Sequence, residues 1–359
     1  MFSSPIIVCF TLFLSLPIVY FFAPEILFPD NLRFGSTIAD DDLDDLALFH
    51  RAVASVGGGA GHSISTVSRL ATKNPKPKIA FLFLTNSNLT FAPLWEKFFH
   101  GNQKLFNIYI HSDPSVSITA PGGVFSHRFI RSKSTQRASP TLISAARRLL
   151  ATALIDDPLN QYFALVSQHC IPLHSFRFVY RYLFKDSVTA LANFGSEKSQ
   201  YRSFIEILSE EPNLFDRYVA RGETAMLPEV PFEQFRVGSQ FFILTRRHAV
   251  VVVKERKLWR KFKLPCVSEE PCYPEEHYFP TLLSMEDPDG CSHFTLTRVN
   301  WTACWDGHPH LYTLPEVSPE LVYQLRKSNS SYSHLFARKF SPETLTPLID
   351  MADDVIFRD

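Results

Sequence analysis

Three strand-length apolar runs constrain the fold of this 359-residue chain more than any other feature. The runs are KIAFLFLT (78–85), FNIYIHS (106–112) and QYFALVS (161–167). Such runs, without polar alternation, are typical of strands buried on both faces of a parallel sheet. The segment from the first run to His100 has helical character, and Ser139 and Pro140 supply an N-cap and a first-turn proline for another helix. This alternation predicts an α/β fold with Rossmann-type winding.

Polar residues follow these strands. Thr85-Asn86, Asp113 and Ser167-Gln168 stand at or just beyond the three strand ends. In open α/β sheets, ligands bind beyond the carboxyl ends of the strands. The three polar ends together therefore predict a ligand crevice at one edge of the sheet.

Later segments predict further elements. The predicted elements are strands at GVFSHRFI (123–130) and VGSQFFILTRR (237–247), a helix at HAVVVVKERKLWRKF (248–262), and a C-terminal helix capped by Ser341 ahead of Pro342 and Glu343.

The first 24 residues carry no charged side chain. Their apolar run approaches the about 20 residues that a membrane-spanning helix needs. We interpret residues 1–24 as a signal anchor and the acidic, glycine-rich and then polar residues 25–76 as a flexible luminal stalk. A cleaved signal peptide is the alternative, but no A-x-A-like site follows the run. Residues 77–359 then form the folded domain.

Three sequons are compatible with a luminal domain, and they begin at Asn88, Asn300 and Asn329. Of the six cysteines, Cys9 lies in the apolar run, and the other five permit at most two internal disulfides. Their spacing does not match paired CxxC motifs, so no zinc cluster is expected. The formal net charge of zero argues against nucleic acid as a partner.

Eight motifs then occur in a fixed order along residues 77–359. They are FLFLT, IYIHSD, ALVSQHCIPLHSF, FRVGSQFFILTR, CYPEEHYFPTLL, LTRVNW, GHPHLY and SHLFARKF. Together they resemble the plant branch of the core-2/I-branching β-1,6-N-acetylglucosaminyltransferase family, which also includes protein xylosyltransferases. The resemblance implies a GT-A-like fold and a type II anchor in the Golgi membrane. It also implies inverting transfer from a UDP-sugar donor to a glycan or glycoprotein hydroxyl, without a metal cofactor.

The absence of a metal-binding DxD motif is part of that resemblance. Two DxD-like strings occur, at Asp42-Leu43-Asp44 and Asp287-Pro288-Asp289. The first falls in the predicted stalk and the second reads as a turn. Neither follows a nucleotide-binding strand, so a metal-free site is expected.

The adjacent carboxylates Glu275 and Glu276 are the most specific catalytic candidates. Inverting transfer needs one base to take the proton of the acceptor hydroxyl. The resemblance places that base on Glu276, and the apolar residues nearby would raise its pKa toward the useful range. Adjacent residues cannot point the same way in a helix or strand. Glu275 is therefore assigned an acceptor-binding or structural role.

A leaving diphosphate needs positive charge, which arginine and lysine supply when no metal is present. The resemblance assigns this role to Lys339, with Arg338 beside it just ahead of the helix predicted at Ser341. Arg298 and Arg326 are the candidates for the second cation. His308 and His310 are further candidates.

The remaining positions follow from the resemblance alone. The donor-side positions are Leu84, Thr85, Asp113 and Arg137, and the acceptor-side positions are Gly238, Ser239 and Trp301. Arg137 stands where the animal enzymes have a tyrosine near the donor. Trp301 is open between a sugar-stacking residue and a core residue.

Two other functions are compatible with these residues. A glycoside hydrolase would use both carboxylates, but its acid and base must lie roughly 5 to 10 Å apart across a sugar, which neighbouring residues rarely achieve. A non-catalytic member would bind glycans or nucleotide sugars, or would serve as a scaffold for other transferases. Within the family, the donor sugar is open among N-acetylglucosamine, xylose and glucuronic acid, and a cell-wall polysaccharide or arabinogalactan-type glycoprotein is the expected class of acceptor.

Overall fold

The structure is a computed structural model and describes residues 34–57, 75–192, 201–268, 272–302 and 307–359. Its strands are β1 (Lys78–Thr85), β2 (Phe106–Ser112), β3 (Asn160–Ser167), β4 (Ile171–Pro172), β5 (Ile243–Thr245), β6 (Thr297–Val299) and β7 (Phe336–Arg338). Its α-helices are α1 (Phe34–Gly57), α2 (Ala92–Phe99), α3 (Pro140–Asp156), α4 (Phe176–Ala192), α5 (Leu214–Val219), α6 (Arg246–Lys254), α7 (Lys257–Phe262), α8 (Pro274–Glu286), α9 (Pro319–Arg326) and α10 (Leu345–Asp350).

The central sheet has the strand order β2-β1-β3-β5. β1 pairs in parallel with β2 and with β3, and β5 runs antiparallel to β3. The three apolar runs thus form the three parallel strands, which confirms the predicted α/β sheet. Because Leu84 pairs with both His111 and Ser167, the carboxyl ends of these strands meet at one edge.

Aromatic side chains fill the core between the sheet and α2. The ring of Trp95 lies 5.9 Å from Phe81 and 5.3 Å from Phe83, both in edge-to-face geometry. Phe81 also contacts Phe98 and Phe99 in the same way. Edge-to-face pairs contribute about 0.5–1.5 kcal/mol each beyond the burial of their area. The alternate residues of β1 therefore fix the position of α2.

α3 begins as the sequence predicts. The Ser139 hydroxyl accepts a hydrogen bond from the Thr141 N–H at 3.3 Å, and Pro140 occupies the first turn. Farther along this helix, Arg147 is buried and donates to the carbonyls of Val253 and Glu255. α3 is thereby joined to the end of α6.

A second sheet, with the order β4-β7-β6, lies beyond the carboxyl end of β3. Val299 pairs with Arg338, and Ile171 pairs with Ala337. The N–H of Phe340 donates to the carbonyl of His169 at 3.2 Å. This sheet therefore brings the ARKF segment to the end of β3, although the two are distant in sequence.

Four predicted elements differ from the structure. Residues 123–130 form a short 3₁₀ turn and one isolated bridge between Phe129 and Ile110. The strand predicted over 237–247 is confined to β5. The predicted helix 248–262 is broken between α6 and α7, because the Glu255 carboxylate accepts from the N–H groups of Leu258 and Trp259. The C-terminal prediction is wrong in its cap, since Ser341 makes no side-chain cap bond and a 3₁₀ turn precedes α10.

The segment predicted as a flexible stalk contains α1. Within this helix Phe49 and Ala52 are buried, and the guanidinium of Arg147 lies 4.6 Å from the centre of the Phe49 ring. Apolar residues on one face explain the helix, and the sequence reading overlooked them. The chain divides into two units after Leu48, and all of the contacts described below lie within Phe49–Asp359.

Two sequence predictions concern the membrane and the cysteines. The predicted anchor, residues 1–24, lies outside the described residues, and no helix that the structure describes is long and apolar enough to cross a bilayer. Cys266 and Cys272 form a disulfide, whereas Cys170 and Cys291 are free and buried. Cys304 lies outside the described residues.

Candidate active site

A cleft of about 1210 Å³ opens beyond the carboxyl ends of β1 and β3, where the sequence predicts a ligand crevice. Three groups of residues line it. The strand-end wall consists of Leu84, Thr85, Asn86, Thr135, Arg137, Ser167, Gln168 and His169. The loop wall consists of Glu206, Leu208, Glu211, Arg217, Val237, Gly238, Ser239, Gln240 and Phe241. The second-sheet wall consists of Arg298, Val299, Trp301, Arg338 and Lys339. Glu275 and Glu276 also line the cleft.

The first turn of α8 carries both carboxylates. Tyr273, immediately before the helix, has a positive φ of 39°, and Pro274 occupies the first turn. The N–H of Gly238 donates to the carbonyl of Glu276 at 2.9 Å and joins α8 to the loop wall. Only glycine fits at position 238, because a Cβ there would lie 2.0 Å from the Glu206 carbonyl oxygen. Gly238 thus acts on the carboxylates through backbone packing.

The Glu276 carboxylate faces the loop wall. Its Oε2 lies 3.4 Å from Nη1 of Arg217, and 26% of the side chain is exposed. Burial raises the pKa of Glu276, and the charges of Arg217 and Arg338 oppose that rise without cancelling it. The result is a carboxylate that is more basic than an ordinary glutamate and still reachable from the cleft.

The Glu275 carboxylate faces the opposite way. Its Oε1 accepts a hydrogen bond from the Ala138 N–H at 3.0 Å, next to Arg137 in the strand-end wall. Its Oε2 is buried and has no hydrogen-bond partner among the described residues. Burial raises the pKa of Glu275 to about 7. Glu275 and Glu276 therefore connect α8 to different walls, as their adjacency in a helix requires.

Arg137 is held at the edge of the cleft by Gly307 and His308. Its Nη2 donates to the Gly307 carbonyl at 2.5 Å, and its Nη1 lies 3.0 Å from Nε2 of His308. The guanidinium groups of Arg137 and Arg217 both lie over the ring of Tyr273, at 5.5 and 5.1 Å. Tyr273 thus links the strand-end wall to the loop wall through two cation–π contacts.

Sequence reasoning missed Arg217 and Tyr273. Tyr273 directly precedes the Pro-Glu-Glu motif, so its position next to the carboxylates was available from the sequence. Arg217 lies 59 residues from Glu276 and carries no local signal. Glu206 and Gln240, which also line the cleft, were missed for the same reason.

The second-sheet wall carries three of the positively charged residues that the sequence analysis singled out. Arg298, Arg338 and Lys339 all line the cleft, and the Arg338 guanidinium lies 4.3 Å from the centre of the Phe241 ring. Arg326, the alternative to Arg298, does not line the cleft. Its guanidinium donates to the carbonyls of Leu173, Val355 and Ile356 and so fastens the C-terminal segment.

Three further predicted positions are separated by the structure. Asp113 is buried and does not line the cleft. Burial alone raises its pKa, but hydrogen bonds from Ser115 and Thr135 outweigh burial and lower it to about 2. His308 lines the cleft, whereas His310 lies outside it and bonds to Glu316 at 2.6 Å. Asp113 thus orders Thr135 of the strand-end wall.

Trp301 is 51% exposed and lines the cleft, so the interpretation as a core residue is wrong. An exposed indole at a cleft wall offers a flat apolar face on which a sugar ring can stack. The exposed Asn329 also lines the cleft, whereas Asn88 does not.

No cluster of three or more histidine, cysteine or acidic residues in the described part of the chain is arranged to hold a metal ion. The second DxD-like string lies away from the cleft, where Asp287 forms an ion pair with Arg247 and a hydrogen bond with His248. Asp44 lies in α1. The positively charged side chains that line the cleft include those of Arg137, Arg217, Arg298, Arg338 and Lys339.

Comparison with known proteins decides the family. The model of the Core-2/I-Branching enzyme family matches residues 79–326, more than half of the chain. The chain belongs to the core-2/I-branching enzyme family. The chain is also 29% identical over 330 residues to Glycosyltransferase BC10 of Oryza sativa subsp. japonica, which covers 77% of this chain and 76% of that protein. The core-2/I-branching match therefore identifies a glycosyltransferase, which uses a nucleotide-sugar donor and a glycan acceptor.

Proposed function

We propose that this protein transfers a sugar from a UDP-sugar to a hydroxyl group of a glycan or glycoprotein, with inversion and β-linkage. The proposal rests on the Glu276 carboxylate, which reaches the cleft and lies 3.4 Å from Arg217. Burial raises the pKa of this carboxylate. A carboxylate whose pKa is raised accepts a proton more readily than an ordinary glutamate, as a general base must.

In the proposed reaction, the acceptor oxygen attacks the anomeric carbon of the donor sugar. Glu276 takes the proton of the acceptor hydroxyl as the new C–O bond forms. The bond between the anomeric carbon and the diphosphate oxygen breaks, and UDP leaves with its added negative charge. Attack from the face opposite the leaving group inverts the configuration.

We assign the donor to the space between the strand-end wall and the second-sheet wall. Lys339 and Arg338, with Arg298 as the further cation, supply positive charge for the departing diphosphate. No metal ion is required in this proposal, because these side chains already offer the neutralising charge. Leu84 and Thr85 border the same space, and Arg137 closes its edge.

We assign the acceptor to the space between the loop wall and Trp301 at the border of the second-sheet wall. Trp301 provides a stacking face for a sugar ring, and Gly238 and Ser239 border the cleft beside Glu276. Glu275 holds the backbone next to Arg137 by accepting from Ala138, so it orients the site at the junction of the two substrates. We further propose that residues 1–24 anchor the protein in the Golgi membrane, with residues 77–359 in the lumen.

The test uses the full chain, purified in detergent from a eukaryotic secretory host, with a panel of UDP-sugars. We expect one donor to bind in the presence of EDTA and to release UDP when an acceptor is added. Glu276→Gln should keep donor binding and lose turnover by about 10²- to 10⁴-fold, because the base alone is removed.

Lys339→Ala tests the diphosphate assignment and should weaken donor binding. Lys327→Ala is the matched control, since it removes a lysine that also lines the cleft but lies outside the second-sheet wall. Turnover that survives Glu276→Gln would refute the assignment of the base. Failure of every UDP-sugar to bind would favour a non-catalytic glycan-binding protein.

A further inference from the structure

The rim loop, residues 327–331, borders the cleft, and its serine hydroxyls shape it. The N–H of Ser330 donates to Oγ of Ser328 at 3.1 Å, and the N–H of Tyr332 donates to Oγ of Ser330 at 3.1 Å. Between the two serines, the side chain of Asn329 is exposed and makes no hydrogen bond within the described residues. The loop therefore presents a free amide at the edge of the cleft.

Tyr332, which directly follows the rim loop, connects the loop to residues near Phe241 of the loop wall. Tyr332 stacks on Phe294 at 5.6 Å and meets Phe204 edge-on at 5.5 Å. Thr295, the residue after Phe294, donates a hydrogen bond through its hydroxyl to the carbonyl of Phe241 at 2.9 Å. The segment that follows the rim loop is thus tied, through Phe294 and Thr295, to Phe241 of the loop wall, on the side that we assign to the acceptor.

The three sequons differ in the surroundings of their asparagines. Asn300 is half-buried, its Oδ1 accepts from the Thr302 N–H at 2.9 Å, and its side chain bonds to Tyr312. Asn88 is exposed, but it does not line the cleft. Asn329 alone among the three combines an exposed, unbonded amide with a place at the cleft edge. Glycosylation requires an accessible side-chain amide, because the sugar is joined to that nitrogen.

We propose that Asn329 carries an N-linked glycan that stands at the acceptor entrance of the cleft and selects for narrow acceptors. A glycan on this residue is bulky and hydrophilic and extends into solvent. It would hinder broad or branched polymers on the side of the loop wall. The glycan rests on the proposed luminal placement of residues 77–359, and the acceptor part of this inference rests on the proposed function.

The first test is the occupancy of the sequons. Peptide mass spectrometry of the full chain from a eukaryotic secretory host should find Asn329 modified and Asn300 unmodified. Ser331→Ala abolishes the Asn329 sequon without changing a residue that lines the cleft, and Ser331→Thr keeps it. An unmodified Asn329 in the secretory-host protein overturns the proposal.

The second test measures access to the cleft without relying on catalysis. Leu208 lines the loop wall and is 44% exposed, so a Leu208→Cys thiol can be labelled there. Maleimide reagents with polyethylene glycol chains of increasing length serve as probes, and the chain without the new cysteine gives the background. Removing the Asn329 glycan, by Ser331→Ala or by enzymatic deglycosylation, should speed labelling by the longest reagent several-fold while the shortest reagent is unaffected.

Asn88→Gln is the matched control, because it removes a sequon that does not line the cleft, and it should leave the labelling ratio unchanged. Equal ratios with and without the Asn329 glycan would overturn the entrance role. Both readouts are independent of turnover. A chain that binds no UDP-sugar but shows the expected labelling would refute the proposed function and leave the glycan at the cleft entrance established.

Discussion

The strand-end wall and the loop wall of the same cleft are built in different ways. The strand-end wall rests on parallel strands whose apolar runs pair along their full length. The loop wall contains few regular elements, and single contacts hold it, such as the Gly238 N–H on the Glu276 carbonyl. A wall that depends on a few contacts should be altered selectively by single substitutions, whereas a sheet spreads the same change over many residues.

Gly238→Ala should have the largest effect on this comparison. The new Cβ would lie 2.0 Å from the Glu206 carbonyl oxygen, so the backbone must move and its bond to Glu276 is disturbed. We expect a loss of about 1–3 kcal/mol in the free energy of unfolding together with a loss of turnover. Gly122→Ala is the control, since no atom lies within 4 Å of a Cβ placed there. Similar unfolding curves for both variants would contradict the tight packing of the loop wall.

Glu275→Gln tests how α8 joins the strand-end wall. Because burial raises the pKa of Glu275 from 4.5 to about 7, the folded state retains a proton that the unfolded state releases within this window. The parent protein should therefore lose stability as the pH rises from about 4.5 to about 7. Glutamine keeps an oxygen for the Ala138 N–H and does not titrate. The Tm of the variant relative to the parent should increase across this window, and a constant difference would contradict the burial of an uncompensated carboxyl.

Arg217→Gln should shift the pH dependence of catalysis. The Arg217 charge lowers the pKa of Glu276 against the effect of burial, so its removal raises that pKa further. The acidic limb of the kcat/KM profile should move to higher pH, because Glu276 must be deprotonated to act as a base. Arg260→Gln removes an equal charge from an exposed position outside the cleft and serves as control. If the acidic limb stays at the same pH, the group whose protonation limits activity is not Glu276.

Ser139→Ala should have the smallest effect, and it addresses the strand-end side. Loss of the cap bond to the Thr141 N–H should cost about 1 kcal/mol of unfolding free energy. The pH dependence of turnover should not change, because Ser139 does not contact Glu276. Ser341→Ala is the comparison, since the Ser341 side chain caps no helix. Equal destabilisation by the two variants would remove the role assigned to the Ser139 cap.

The sequence determined the elements that depend on nearby residues. Continuous apolar runs predict β1 and β2, and a serine followed by a proline predicts the start of α3. All three elements could therefore be predicted from residues that are close together in the sequence. The ordered motifs also carried the family, which the comparison confirms. Glu275 and Glu276 could also be recognised as a pair from the sequence, because they are adjacent in the chain.

The tertiary structure alone decided which distant residues meet at the cleft. Arg137 reaches the Gly307 carbonyl across 170 residues, and Glu275 reaches Ala138 across 137. No local pattern distinguishes Arg298, which lines the cleft, from Arg326, which fastens the C-terminal segment. Sequence patterns report which face of an element is apolar, whereas the partner of a polar side chain depends on how the whole chain packs.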